Sequence, residues 1–177
     1  MTNYFIVPGL GNSGEEHWQS FFESSGENFK RIQQQEWDAP VCADWIETID
    51  KALAGQDLSS VVLIGHSLGC LTIAHWAKQY GRKIKAALLV APSDFEAPQY
   101  TFPATGFAPI PKEKINFRTI VVASSNDQWV SLERAKFFAD NWGSEFINIG
   151  EAGHINTLSG HYQWHEGLAI LKTLDDL

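Results

Sequence analysis

A serine lies between two glycines in the pentapeptide Gly65-His66-Ser67-Leu68-Gly69, directly after a run of apolar residues. The pattern Gly-x-Ser-x-Gly is typical of a sharp turn from a strand into a helix, where the missing β-carbons leave room for the turn and expose the serine hydroxyl. The helix amino terminus at this point also favours developing negative charge. We therefore predict that Ser67 is a nucleophile.

A serine hydroxyl attacks poorly unless a base and an orienting acid stand beside it. After such a turn the acid and then the histidine follow along the chain, each on a loop after a strand. Asp127 lies in the segment SSNDQWV, after one predicted strand, and His154 lies in GEAGHIN, after the next. The order predicts that Ser67, Asp127 and His154 form a triad for acyl transfer.

Other residues compete for these roles. Asp94 also follows a predicted strand and could supply the acid, but it lacks the turn residues that surround Asp127. His66 adjoins the serine, and because neighbouring side chains on a sharp turn point apart, we expect it to pack rather than to act as the base. His17 and His75 lie in helical segments, and both are predicted to be structural histidines with satisfied ring nitrogens.

The sequence supports metal binding and thiol chemistry less strongly than it supports the serine triad. His161 and His165 are four residues apart and close to Glu166, a spacing that could hold a metal on one helix face. No third ligand follows at a suitable spacing, so we predict neither a metal nor another cofactor. The two cysteines, Cys42 and Cys70, could form at most one disulfide. We expect Cys70 to be a small buried residue, although its place in the first helical turn could lower its thiol pKa.

Composition limits the classes of partner. The 177 residues are 44% hydrophobic and 12% aromatic, which fits one folded domain over residues 1–177. Thirteen basic and 21 acidic side chains give a net charge of −8 without a basic cluster, which argues against a nucleic-acid partner. The segment MTNYFIVPGL has no basic leader and only a short apolar run, so we expect no membrane span and a cytoplasmic location. No oligomeric state is predicted.

Short β-branched segments alternate with segments of helical periodicity. This pattern predicts an α/β fold, a doubly wound and mostly parallel six-stranded sheet with helices on both faces. The predicted strands cover residues 3–7, 29–33, 60–64, 86–90, 118–123 and 145–149. Residues 92–117 form one long irregular connection rich in proline and aromatic residues, and loops of this length in compact domains are usually functional or disordered. Ligands should bind at the carboxyl ends of the strands.

Five helices are predicted between these strands. The first is opened by a capping box of Ser13 and Glu16, directs Trp18, Phe21 and Phe22 inward and stops near Gly26. The others follow the spacing of their apolar residues and end at or near a glycine in three cases; they cover residues 45–54, 68–80, 132–142 and 162–174.

The segments GHSLG, SSNDQWV and GEAGHIN resemble the α/β-hydrolase superfamily, and within it the small serine hydrolases of the retinoblastoma-binding-protein-9 and YdeN type. The likeness extends over nearly the whole chain, from the Val7-Pro8-Gly9 turn to residues 159–167. It implies a compact α/β-hydrolase fold without a large cap domain and a hydrolase activity. Many relatives have His-Gly where this first turn reads Pro-Gly.

The combined expectation is a carboxylesterase that cleaves a small ester through an acyl-enzyme. Backbone amides of Leu68 and Leu10 are expected to hold the oxyanion, with Gly9, His66 and Trp129 contacting the substrate. Aromatic residues of the long loop favour a small apolar pocket. Amide, thioester and lactone substrates stay open, as does a non-catalytic module that binds a ligand or protein on the same scaffold.

Overall fold

A parallel six-stranded sheet with helices on both faces forms the protein, as the alternation of segments predicted. The computed structural model describes residues 1–175. The strands run in the order β2-β1-β3-β4-β5-β6 and all neighbouring pairs are parallel. They are β1 Asn3–Val7, β2 Phe29–Arg31, β3 Val61–His66, β4 Ala86–Val90, β5 Arg118–Ala123 and β6 Glu145–Asn148. The helices are α1 Trp18–Glu23, α2 Cys42–Ala52, α3 Leu68–Tyr80, α4 Leu132–Trp142 and α5 His165–Lys172, with 3₁₀ turns at Leu58–Ser60 and Thr157–Ser159.

The sheet has a hydrophobic core on each face. Successive side chains of a strand point to opposite faces, so each central strand contributes to both cores. On β3, Val61 and Leu63 pack with residues of α2, α3 and α4, whereas Val62 and Ile64 pack with residues of α1 and α5. Because both faces are covered, the central strands are apolar along their length rather than alternating with polar residues.

The strand order determines where loops can meet. From β1 the chain crosses to one side to form β2 and then returns to the other side to form β3 and β4. Loops that leave the carboxyl ends of β1 and β3 therefore diverge and leave a crevice between them. The loops after β5 and β6 begin at the same edge of the sheet, because all six strands are parallel.

The first helix begins later than predicted, and the predicted capping box is wrong. His17, not Ser13, caps α1, and its Nδ1 accepts a hydrogen bond from the Gln19 N–H at 3.1 Å. Ser13 is buried in the preceding turn, where its hydroxyl donates to Gln19 Oε1 at 2.7 Å. Glu16 is exposed. An imidazole nitrogen with a free lone pair thus provides the cap that serine or threonine usually supplies.

Several other predicted boundaries also differ. The edge strand β2 ends at Arg31 because only β1 pairs with it, and β3 starts one residue late and continues through His66. Helix α1 ends before Ser24, and Phe21 is 36% exposed rather than directed inward. Helix α5 is shorter than the predicted residues 162–174, because Trp164 before it has a left-handed φ of 43°. No helix within residues 1–175 is long and apolar enough to cross a bilayer.

Helix α3 packs its first turn directly against the end of β1. A β-carbon on Gly69 would lie 2.1 Å from the Val7 carbonyl oxygen and 2.8 Å from the Pro8 carbonyl oxygen. Backbone atoms cannot rotate away from such a contact as a flexible side chain can. The second glycine of the pentapeptide is therefore required for the approach of α3 to β1.

We expect Gly69→Ala to lower the free energy of unfolding by about 3 kcal/mol, because the methyl group must displace backbone. The measurement is urea unfolding followed by circular dichroism. Gly14→Ala is the matched control, since a β-carbon there meets no atom within 4 Å. Equal stability of Gly69→Ala and the unmodified protein would contradict this account of the turn.

Candidate active site

Ser67 occupies a strained turn between β3 and α3. Its backbone angles, φ 55° and ψ −121°, lie outside the regions that side chains with a β-carbon usually adopt. Such a conformation costs about 1–3 kcal/mol and persists only where the surroundings impose it. The Ser67 N–H is anchored by the Val90 carbonyl at 3.0 Å, and Gly69 lets α3 start immediately. The turn leaves the serine hydroxyl at the carboxyl edge of the sheet.

The three residues predicted to form a triad are brought together. His154 Nε2 lies 2.9 Å from Ser67 Oγ, and His154 Nδ1 lies 2.9 Å and 2.8 Å from the two carboxylate oxygens of Asp127. Because a carboxylate only accepts, Nδ1 carries the proton and donates it, which leaves the Nε2 lone pair to accept from the serine hydroxyl. This is the protonation state that a general base needs.

The Asp127 carboxylate is held on two sides. Its side chain has no exposed surface, and Oδ1 also accepts from the Trp129 N–H at 2.8 Å. The acid therefore has a fixed orientation toward the imidazole. The rival acid, Asp94, is instead paired with Arg134, whose Nε lies 2.8 Å and Nη2 3.0 Å from its carboxylate oxygens. It is not a partner of the histidine.

Two residues that the sequence analysis did not single out join the acid loop to the histidine loop. Ser124 Oγ accepts from the Ala152 N–H at 2.9 Å, and Asn126 Oδ1 accepts from the Gly153 N–H at 2.7 Å. Both lie in the segment SSNDQWV that carries the acid. Their place beside the acid on a polar turn was a usable signal, but the N–H groups that donate to them could not be assigned from the sequence, because those groups belong to another loop.

His66 has a different role from the one its position suggested. It is buried, as expected, and it also contacts the histidine loop, where Nε2 donates to the His154 carbonyl at 2.9 Å. Burial, and then the neighbouring His17, lower its pKa well below the usual histidine value. His66 thus anchors the backbone of His154.

His17 is not the satisfied histidine that was predicted. Its ring lies 4.8 Å from the His66 ring and is 6% exposed, yet no residue in the described chain pairs with its Nε2. Burial, followed by the charge of Arg31, lowers its pKa to about 3. His75 does match its prediction, because its ring nitrogen bonds the Phe107 carbonyl at 3.0 Å.

A cavity of about 290 Å³ lies over the serine, at the crevice beside β1 and β3. The predicted contact residues Gly9, His66 and Trp129 all line it, as does Leu10. The complete lining is Gly9, Leu10, Asn12, Ser13, His17, His66, Ser67, Tyr100, Phe102, Trp129, His154 and Asn156. It contains aromatic and uncharged polar residues, and no Lys, Arg, Asp or Glu from residues 1–175.

Backbone donors are available next to the serine. Leu68 is the first residue of α3, so its N–H has no acceptor within the helix. A β-carbon on Gly9 would lie 3.2 Å from that nitrogen, which places the turn after β1 beside it. The Leu10 N–H makes no hydrogen bond to any described residue. The two amides predicted to hold an oxyanion therefore both lack a hydrogen-bond partner among the described residues, and both belong to residues at the cavity or directly beside it.

The alternative metal site is not formed. Within residues 1–175, no group of three His, Cys, Asp or Glu side chains could hold a metal ion. His161 Nδ1 instead contacts Ser159 Oγ at 3.2 Å. Both cysteines are free and buried, and burial raises the pKa of Cys70 well above the usual thiol value. The expectation that its helix position could lower this pKa is wrong, because desolvation of the thiolate outweighs the helix dipole.

Comparisons with known proteins bear on the family and the fold of this chain. The sequence model of the family described as serine hydrolase matches residues 4–173. A YdeN-like hydrolase from Pectobacterium atrosepticum is 34% identical with a TM-score of 0.87, over 98% of this chain and 90% of that one. The ydeN gene product of B. subtilis is 18% identical with a TM-score of 0.77, over 100% of both chains.

More distant solved structures are similar in fold alone. Est816, described as an N-acyl homoserine lactone degrading enzyme, is 15% identical with a TM-score of 0.75 and covers 98% of this chain and 93% of its own. No curated protein matches the chain.

We expect both cysteines to resist thiol reagents in the folded protein. Burial raises the pKa of Cys42 to about 12, so its thiolate fraction near neutral pH is about 1,000-fold below that of a free cysteine. The reaction with 5,5′-dithiobis(2-nitrobenzoate) measures this. Two thiols per chain should react only after unfolding in guanidinium. Rapid modification of the native protein would contradict the burial of these thiols.

Stability should fall as the pH falls below about 6.5. Unfolded histidines bind protons there, whereas buried His17 and His66 stay neutral because their pKa values are lowered. The two together should lower the free energy of unfolding by about 3 kcal/mol between about pH 6.5 and 5. Urea unfolding across this range measures the slope. His17→Asn keeps an oxygen to cap α1 and should remove about half of it; an unchanged slope would contradict the assignment.

Proposed function

This chain belongs to the serine hydrolase family, and we propose that it is a carboxylesterase that hydrolyses small uncharged esters through an acyl-enzyme on Ser67. The observation that carries the proposal is the line of contacts from Ser67 Oγ to His154 at 2.9 Å and from His154 to Asp127 at 2.8 Å. A serine hydroxyl in contact with the lone pair of an oriented imidazole is an activated nucleophile.

In the first half of the proposed reaction, Ser67 Oγ bonds to the ester carbonyl carbon while its proton passes to His154 Nε2. Asp127 holds the Nδ1–H and stabilises the positive imidazolium. The tetrahedral intermediate then breaks its bond to the alcohol oxygen, and His154 returns the proton to that leaving group. The acyl group stays on the serine.

In the second half, water loses a proton to His154 and attacks the acyl carbon. The bond to Ser67 Oγ breaks, the proton passes back to the serine, and a carboxylic acid leaves. The oxyanion of both tetrahedral intermediates is proposed to accept from the Leu68 and Leu10 amides. Each such donor is worth about 100- to 1,000-fold in turnover.

The lining of the cavity supports a small, uncharged substrate. Its volume of about 290 Å³ is at the lower end for ligand sites. Tyr100, Phe102 and Trp129 form an aromatic wall, with the Phe102 and Trp129 ring centroids 5.0 Å apart. A charged group would have no opposite charge among the lining residues. We also propose that the chain acts as a single domain, since both cores share one sheet.

The substrate panel should extend beyond simple esters. Thioesters and amides react through the same steps, and lactones are cyclic esters. Est816 degrades N-acyl homoserine lactones, and its fold is similar to this one, so such lactones are suitable members. Short-chain 4-nitrophenyl esters come first, because their leaving group needs little help from a proton donor.

We expect a fluorophosphonate probe to label the protein and Ser67→Ala to abolish both labelling and ester hydrolysis. Asp127→Asn should lower kcat by about 10,000-fold with little change in KM, because the imidazole loses its orientation and its counter-charge. The matched control is Asp94→Asn, which removes a carboxylate paired with Arg134 and should keep kcat within about threefold.

Three outcomes would overturn the proposal. They are hydrolysis that survives in Ser67→Ala, a loss of activity in Asp94→Asn equal to that in Asp127→Asn, and a native protein that neither reacts with the probe nor cleaves any member of the panel. The last result would favour a module that binds a ligand without turnover.

A further inference from the structure

Three of the residues that line the cavity have polar side chains whose accepting atoms already receive a hydrogen bond from the protein. Asn12, His17 and Asn156 all line the cavity, opposite in character to the aromatic wall. In each of them the protein itself supplies a donor to the side chain's accepting atom. The other polar atom of each side chain is a nitrogen that carries hydrogen and can donate. A ligand that pairs with it must therefore offer a hydrogen-bond acceptor.

The tautomer of His17 follows from its cap. Nδ1 accepts from the Gln19 N–H, so it carries no proton of its own. The ring is neutral at physiological pH because burial lowers its pKa to about 3. The one ring proton is therefore on Nε2, and this buried donor has no partner among the described residues. Buried donors in native proteins are nearly always paired, so an unpaired one at a site calls for a ligand.

The two asparagines are oriented by the same logic. The side-chain oxygen of Asn12 accepts from the Ser13 N–H at 2.8 Å and from Arg31 Nη1 at 2.9 Å. That of Asn156 accepts from the Ser159 N–H at 3.2 Å. These partners can only donate, so the accepting atom must be oxygen in both cases. The Nδ2 amino groups are left without an acceptor in the described chain.

We propose that Asn12, His17 and Asn156 form a donor subsite that binds an acceptor oxygen of the substrate outside the ester group that is cleaved. The substrate class is an uncharged ester that carries an apolar group for the aromatic wall and a second oxygen, as an ether or carbonyl, for the donors. The choice of an ester as substrate rests on the proposed function. The donor subsite itself can be tested by binding alone.

The proposed subsite favours substrates whose atoms pair with its donors over substrates that leave these donors unpaired. A substrate with hydrocarbon at this position offers the donors no hydrogen bond and leaves them unpaired. A carboxylate would find donors but no cation in the lining, so it would lose hydration without a compensating charge. An uncharged oxygen satisfies the donors at the least desolvation cost.

Two matched pairs of esters test the proposal, each replacing one methylene by oxygen at nearly equal size. On the acyl side, 4-nitrophenyl 3-methoxypropanoate is compared with 4-nitrophenyl pentanoate. On the alcohol side, 2-methoxyethyl acetate is compared with butyl acetate in a pH-stat. Each kcat/KM is divided by the rate constant for hydrolysis of the same ester by hydroxide, which corrects for the intrinsic reactivity of the ester. We expect this ratio to be about 3- to 10-fold higher for the oxygen ester of at least one pair.

Variants connect the preference to the donors. His17→Asn keeps an oxygen to cap α1 but is too short to place a donor where Nε2 lies, and Asn12→Asp keeps the accepting oxygen while removing the amino group. Both should reduce the preference to below about twofold. His75→Asn is the matched control, since His75 bonds the Phe107 carbonyl outside the cavity lining, and it should keep the preference.

A binding measurement separates this inference from the proposed hydrolysis. In Ser67→Ala the intact 4-nitrophenyl esters can be titrated while the ¹⁵N and ¹H signals of His17 Nε2–H are followed by NMR. We expect the oxygen ester to bind more tightly and to shift this signal, whether or not the unmodified protein is an esterase. The inference is overturned if the signals show Nδ1 rather than Nε2 protonated, if neither pair shows a preference, or if the preference persists unchanged in both donor variants.

Discussion

The contact between the first turn of α3 and the end of β1 is the constraint on which the site depends. With no side chain at Gly69, the helix begins against the Val7 and Pro8 carbonyls, and the serine before it is forced to a positive φ. Strain at Ser67 is thus imposed by packing between two buried elements rather than by the loop itself. The same approach brings the turn after β1 next to the Leu68 amide, so the proposed nucleophile and the proposed oxyanion donor Leu68 are positioned by one contact.

A second set of contacts holds the base from behind. His66 donates to the His154 carbonyl, Asn126 accepts from Gly153, and the indole N–H of Trp18 donates to the Ile155 carbonyl at 2.8 Å. The histidine loop is therefore fixed by groups from three elements. A base on a loop needs such support, because a shift of about 1 Å in a catalytic group can cost about 100-fold in rate.

Neutral histidines explain how so many imidazoles lie close together. The rings of His17, His66 and His154 follow one another at 4.8 Å and 5.0 Å, and the first two are kept uncharged by burial. In the proposed reaction, an imidazolium on His154 would therefore meet no positive charge on these two neighbouring rings. The neutral state of His17 also means that this cavity residue presents an uncharged donor, in agreement with the subsite proposed above.

The sequence by itself determined the fold class and the candidate nucleophile, acid and base, because these depend on local patterns. Apolar runs such as residues 61–64 predict buried parallel strands. The two glycines that flank Ser67 predict a sharp turn, because their missing β-carbons leave room for it. Asp127 and His154 could be chosen from their order along the chain. Their distances could not, since loop positions depend on how the sheet twists and packs.

Only the tertiary structure decided the roles of residues whose partners are remote in sequence. His17 was expected to be satisfied within a helix, but it caps α1 and leaves Nε2 unpaired beside the cavity. Asp94 and Asp127 both follow strands, and only the position of Arg134 on α4 assigned the first to an ion pair. Burial raises the pKa of Cys70, whereas its position in the first helical turn had suggested a lowered pKa. Hydrogen-bond partners and desolvation are set by atoms from distant segments, and no local pattern records which segments will meet.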